Sequence, residues 1–254
     1  MTKKKIAMCI SGYLRTFEEC YPSILKNIIQ DNDIDIFIHT YDKLGNSSGW
    51  RHPIDLTEDI NINFLESIPN IKVIAVQKWD NIKYKFEKFF KCVPNCTNIN
   101  VIATVFYKIY MCNQLRKEYE IANNIKYDLV IRMRGDQIFE KHINLDFPEH
   151  KILINSYPWG DEDFIHHFTG DDCEQDGCRN EVEWINDRFA VGNSDNIDYL
   201  CDLYNHFEEL VLNEKYVELE HLLYKHLNNN NIELEKRNLQ FYVKHKPPRL
   251  IKPI

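Results

Sequence analysis

The chain has 254 residues, 44% of them hydrophobic, with only 8 glycines and 9 prolines. That composition excludes a disordered or fibrous protein and allows one large α/β domain, or one domain with an appended subdomain. The formal net charge of −8 argues against a nucleic-acid binder, whose surface needs a basic excess, although local basic clusters stay open.

In chain order, the apolar run Lys5–Ile10 reads as a short strand, and Ser11-Gly12-Tyr13-Leu14-Arg15 as a sharp turn out of it. Thr16 stands where it would cap a helix running to about Ile29, with Glu19 three residues on as in a capping box. Asp35–Thr40 is a second strand with Ile36 and Ile38 on one face, followed by a loop over 41–56 marked by Gly45, Gly49 and Pro53. Thr57–Ile68 reads as a helix and Ile71–Val76 as a third strand, while the mixed aromatic and basic stretch 77–98 yields no assignment. Asn100–Asn123 has helical apolar spacing without Pro or Gly, so a long helix is expected. Tyr127–Arg134 is a fourth strand and Lys151–Asn155 another. After an acidic loop over 156–183 come a strand at Arg188–Val191, helices near 195–212 and 217–228, and short strands near 232–235 and 239–244. Strand-helix alternation in the first half implies a largely parallel sheet covered on both faces. The expected fold is a single Rossmann-like α/β domain with a more irregular second half.

The most informative stretch is Tyr127-Asp-Leu-Val-Ile-Arg-Met-Arg-Gly-Asp136, which begins as a buried strand and ends in charge. Alternate strand residues share a face, so Arg132, Arg134 and Asp136 are expected to line one face at the strand's C-terminal end. Open α/β sheets bind ligands at that end. Two guanidiniums and one carboxylate suit an anion and a divalent cation, and a diphosphate with its metal satisfies both signs. The bland alternative is a strand edge with solvated charges or structural ion pairs.

Other positions are candidates with competing readings. Ser11 and Gly12 follow a strand and precede a helix, so backbone N–H groups there are placed to face a nucleotide, with Arg15 on a phosphate. A plain strand-helix turn accounts for them equally. His39, Thr40 and Asp42 close the second strand, where a base or ribose would be read, or where a polar loop simply begins. Asp187, at the edge of the strand Phe189–Val191, is the preferred general base, against a turn cap at Asn186-Asp187. Glu220 is a second candidate base on an expected helix. The acidic loop carries Tyr157, Trp159, His166 and His167 and reads as a lid, a cation site or a solvated insertion. His245 in the tail is a weak metal candidate.

The 8 cysteines include two looser pairs, Cys92 with Cys96 and Cys173 with Cys178. Four such thiolates would suit structural zinc, but the spacings are wider than CxxC, and plain thiols or a facultative disulfide are the main expectation. The basic N-terminus precedes an apolar run too short for a signal peptide. No segment has the length of a membrane helix, and the expected location is the cytoplasm.

Four blocks in order, Cys9-Ile-Ser-Gly-Tyr-Leu-Arg-Thr-Phe17, Asp35-Ile-Phe-Ile-His-Thr40, Tyr127 to Asp136, and Asn186-Asp-Arg-Phe-Ala-Val-Gly192, resemble a group of small glycosyltransferase-like proteins. These occur in large DNA viruses and in bacterial surface-polysaccharide gene sets, and the group is similar to the GT-A glycosyltransferases. The resemblance spans roughly residues 5–230. It implies a GT-A-like fold, with residues 1–140 as the half that binds a nucleotide-sugar donor and 141–254 as the half that binds a glycan acceptor and supplies catalysis. It implies a transferase that moves a sugar from a nucleoside-diphosphate donor to an acceptor hydroxyl, with inversion weakly preferred. Many GT-A enzymes hold Mn²⁺ or Mg²⁺ with Asp-x-Asp at the end of a central strand. Here the triplet is Arg134-Gly135-Asp136, so either Asp136 alone holds a metal that borrows phosphate oxygens, or the arginines substitute for it.

Two other classes fit the same residues. One is a different nucleotide-dependent α/β enzyme, such as a nucleotidyltransferase or a sugar-phosphate enzyme. The other is a non-catalytic carbohydrate-binding protein on a degenerate transferase fold, which the arginine at position 134 keeps open. No Walker A, GxGxxG or GxSxG motif is present to favour a kinase, dehydrogenase or hydrolase. Sugar, base, acceptor and oligomeric state are left open.

Overall fold

The computed structural model describes residues 4–45, 58–82, 85–86, 88–89, 99–156, 185–214 and 217–244. The paired Cys92, Cys96, Cys173 and Cys178, most of the acidic loop with Trp159, His166 and His167, and His245 lie outside the described residues.

Nine strands and six α-helices are described: β1 (Lys5–Ser11), α1 (Phe17–Ile24), β2 (Asp33–Tyr41), α2 (Ile62–Ser67), β3 (Ile71–Gln77), α3 (Ile99–Asn123), β4 (Leu129–Met133), β5 (Gln137–Phe139), β6 (Ile152–Asn155), β7 (Phe189–Gly192), α4 (Ser194–Cys201), α5 (Leu203–Asn213), α6 (Leu219–Asn228), β8 (Leu234–Arg237) and β9 (Phe241–Val243). Seven strands form one sheet in the order β3-β2-β1-β4-β7-β6-β8. β3, β2, β1 and β4 run parallel, β7 is antiparallel to both its neighbours, and β6 and β8 are parallel to each other. The sheet is therefore mixed and mostly parallel, as the alternation of elements implies. The last three strands extend the same sheet rather than forming a second one.

Strand parity divides the core into two layers. Ile6, Met8 and Ile10 of β1, Ile36 and Ile38 of β2, and Ile131 and Met133 of β4 pack against α1 and α2 residues such as Phe17, Ile24 and Leu65. Ala7, Cys9, Phe37, Tyr41 and Val130 face the other way, onto α3, α4, α5 and α6. Near-continuous burial on both faces explains why β1 and β4 are apolar runs rather than alternating ones. The long helix α3 has no Gly or Pro, and Asn124 ends it in the left-handed region (φ 50°).

Several boundaries differ from the sequence reading, each for a local reason. Thr16 does not form a capping box: its Oγ1 donates to the Lys244 carbonyl at 3.0 Å, and it makes no cap bond to the helix. The first helix reaches Ile29 through a wider π turn over Leu25–Ile29. α2 starts at Ile62 because Asn61 caps it, Oδ1 accepting from Phe64 N at 3.1 Å. The helix expected over 195–212 is two helices, broken at Asp202. β5 is too short to stand out in the sequence and pairs with β9 as a separate two-stranded ribbon.

Candidate functional site

After β1 the chain places β2 and β3 on one side, then crosses back to place β4 on the other. The β1/β4 boundary is thus the point where strand order reverses. In a parallel sheet, the crevice beyond the carboxyl ends at such a point binds ligands. Ser11 and Gly12 end β1 there. Arg134 and Asp136 follow β4 there. β7 runs the other way, so its entry lies at the same edge: Arg134 N donates to Arg188 O at 3.2 Å, which sets Asp187 beside the end of β4.

The charged core of the site is a carboxylate between two arginines. Asp136 is only 2% exposed. Arg134 donates to it twice, Nε to Oδ1 at 3.1 Å and Nη2 to Oδ2 at 2.6 Å, and Arg15 Nη1 adds a contact to Oδ2 at 3.5 Å. Burial opposes ionisation of Asp136, but Arg134 and Arg15 outweigh it and hold the carboxyl below its ordinary range. Gly135 makes the approach possible. A Cβ there would lie 3.2 Å from Phe17 and 3.3 Å from Leu14, so the first turn after β1 packs directly onto this backbone and carries Arg15 to Asp136. The ribbon fixes the other side, with Lys244 N donating to Asp136 O at 2.8 Å.

Arg132 sits one pleat deeper, 2% exposed, beside Cys9 of β1 and Ala190 of β7. Its Nε has no hydrogen-bond partner. Burial lowers its pKa, and Asp187 acts in the opposite sense. Asp187 is 5% exposed and Glu220, in the first turn of α6, 6% exposed. Burial, then the charge of Asp187, pushes the Glu220 carboxyl up to about 8. At neutral pH Glu220 therefore holds a proton, and the Asp187 carboxyl is the group of the pair that acts on Arg132 and Arg134.

At the β2 end the site becomes aromatic. His39 is 3% exposed, its Nδ1 is without a partner, and burial followed by Lys108 lowers its pKa to about 3, so the ring is neutral. Its ring meets Tyr107 edge-on at 6.3 Å, and Tyr13 lies 4.5 Å from Tyr41. Lys108 of α3 is 1% exposed and reaches the sheet from below, donating to Thr40 O and Gln77 Oε1, both at 3.1 Å, with Nζ 3.5 Å from the Tyr41 ring centre. Burial draws its pKa down to about 7. Sequence reasoning missed Lys108, because a lysine in a long helix reads as a solvated one. The signal for it is indirect: it lies four residues before Cys112 on the face that α3 turns to the sheet.

Two expected roles differ in the structure. The Gly12 N–H does not face a ligand: it donates to His39 O at 3.2 Å, with φ at +102° where glycine is favoured. The free polar group of that turn is Ser11 Oγ, buried and without a partner. His39 and Thr40 are consecutive in a strand and point to opposite faces. Thr40 is fully buried, its Oγ1 donating to Tyr41 O at 3.4 Å, which sets its side chain apart from the site. Buried polar atoms are normally satisfied. Here Ser11 Oγ, Arg15 Nε, His39 Nδ1, Asp42 Oδ1 and Arg132 Nε are not, and all five belong to residues at one edge of the sheet.

The residues around Asp136 do not fit a divalent cation. Both carboxylate oxygens already accept from guanidiniums, and among the described residues no group of three His, Cys, Asp or Glu side chains is placed to hold a metal ion.

A family model described as a domain of unknown function (DUF7796) matches residues 1–156, more than half of the chain. The chain belongs to this family. The DUF7796 match takes in β1 to β6 and so includes Ser11, Arg15, His39, Arg132, Arg134 and Asp136. Asp187 and Glu220 lie beyond the matched residues. No curated protein matches the chain. Among the described residues no helix is long and apolar enough to cross a membrane.

Proposed function

We propose that this DUF7796 protein is a glycosyltransferase with a GT-A-like fold, moving a sugar from a nucleoside-diphosphate donor to a hydroxyl of a glycan acceptor. The observation that carries this reading is the order of chemistries along one sheet edge. Aromatic and unsatisfied groups at the β2 end give way to arginines at β1 and β4, then to a buried carboxyl pair beside β7.

Each part has a role in that reaction. His39 Nδ1, Asp42 Oδ1 and Ser11 Oγ are free to bond base and ribose, with Tyr13 alongside. Arg15 and Arg134 bind the diphosphate, a geometry that planar guanidiniums match. Asp187 takes the proton of the acceptor hydroxyl as its oxygen bonds to the anomeric carbon. The bond from that carbon to the diphosphate breaks, the electron pair leaves with the nucleoside diphosphate, and the arginines stabilise the charge gained. Glu220, protonated at neutral pH, adds no second negative charge beside Asp187. One base and one displacement make inversion the expected outcome.

A thermal-shift panel of UDP, GDP, CMP, dTDP and their sugar conjugates tests this. A ligand that binds only the folded state raises Tm. The reading expects a rise with one nucleotide class, and a rise with none of them overturns it. Binding of a free glycan without any nucleotide effect would support a carbohydrate-binding protein instead.

A further inference from the structure

Resting on that reading, we infer that the diphosphate is held without a divalent cation, by Arg15 and Arg134, and that Asp136 is the positioning residue that aims them. The carboxylate lies 2% exposed at the end of β4, while the side chains of Arg15 and Arg134 are 23% and 26% exposed. The anion is thus buried and the cations reach the surface, the reverse of a metal site, where carboxylate oxygens face the incoming ion.

The hydrogen-bond pattern says what each fork has left. Arg134 uses Nε and Nη2 on Asp136, and among the described residues nothing engages its Nη1. Arg15 uses Nη1 on the same oxygen, and its Nε is buried without a partner. A guanidinium has five N–H donors, so both forks can keep Asp136 and still present donors to a second anion. Held at one end, they lose less freedom on binding than free arginines would.

Charge weighs the same way. A divalent ion on Asp136 would meet two guanidiniums at contact range and would first have to break the paired bonds from Arg134. A diphosphate meets the same two cations with attraction. Arg132, buried behind them, adds a third positive charge, offset in part by Asp187.

Titration calorimetry on the full chain tests this with inorganic pyrophosphate and a series of nucleoside diphosphates, each in EDTA and in Mn²⁺. The expected result is binding in EDTA, with Kd changed less than about tenfold, about 1.4 kcal/mol, by Mn²⁺. Arg134→Lys keeps the charge and loses the fork, and is expected to weaken binding at least about tenfold in EDTA. Asp136→Asn is expected to weaken it by the same factor with and without Mn²⁺. Binding that requires Mn²⁺, or an Asp136→Asn defect confined to Mn²⁺, overturns the metal-free clamp while leaving the transferase reading intact. No binding under either condition overturns both. Circular dichroism of each variant confirms the fold, and Arg15→Lys provides an independent test should Asp136→Asn not fold.

Discussion

Arg134 grips both oxygens of Asp136 two residues along the chain, with Nη2 to Oδ2 at 2.6 Å, and Gly135 between them lets the β1–α1 turn close over the pair. The result is a preformed anion-binding edge whose own counter-ion lies beneath it.

That pairing makes Asp136 a stability element as well as part of the site. Asp136→Ala leaves two guanidiniums without their carboxylate. Both are about a quarter exposed, so water takes up part of the loss. The expected cost is about 2 kcal/mol, read as a lower urea midpoint at unchanged slope. No change in midpoint would show that the pair is only a surface contact.

Gly45 should be less replaceable than Gly12. Both have positive φ, but a Cβ on Gly45 would fall 2.7 Å from the Tyr13 ring, whereas one on Gly12 meets nothing within 4 Å. Gly12→Ala is expected to cost about 1–2 kcal/mol from backbone strain alone. Gly45→Ala adds a displaced Tyr13, so it should cost more and should weaken nucleotide binding as well. Equal melting points for the two variants would contradict this account of the loop.

Glu220 makes stability depend on pH. The folded protein holds its proton up to about pH 8, against an ordinary value of 4.5, chiefly through burial, then through Asp187, with Glu218 adding and Arg188 opposing. Between those values the folded state binds more protons than the unfolded state. Its stabilising contribution is therefore full below 4.5 and is lost as pH rises through about 8. Glu220→Gln cannot ionise, and its stability relative to wild type should rise across that window by on the order of a few kcal/mol. Parallel pH profiles for the two proteins would refute the assignment.

Much of the fold could be read from the sequence because burial on both faces leaves a plain mark. The apolar runs of β1, β2 and β4 and the uninterrupted α3 all lie where their patterns place them. β9 lies where a strand near 239–244 is expected, but β5 and its pairing with β9 were not legible, since a three-residue strand carries no period and the pairing joins positions about a hundred residues apart. Thr16 misled for a related reason: a capping pattern is local, and the Lys244 carbonyl that takes its hydroxyl arrives from the far end of the chain. In the site, the charged cluster at the end of β4 was visible, although Arg134 and Asp136 lie in the turn after the strand rather than on its face, and so was the position of Asp187 at a strand edge. What was hidden is how the charges pair. One-dimensional spacing could not show that Arg15 shares Asp136, that Lys108 lies under the β2 end, or that Glu220 faces Asp187.

The central claim is tested most directly by release of nucleoside diphosphate from nucleotide sugars. Donors found by the thermal-shift panel would be incubated with a set of glycan acceptors and either wild type or Asp187→Asn, with release followed by chromatography. The account predicts turnover by the wild type, and a fall of about 10²–10⁴-fold in Asp187→Asn with donor binding unchanged, the range for loss of a general base. Turnover that survives in Asp187→Asn, or a wild type that binds a donor and never releases the diphosphate, would contradict it.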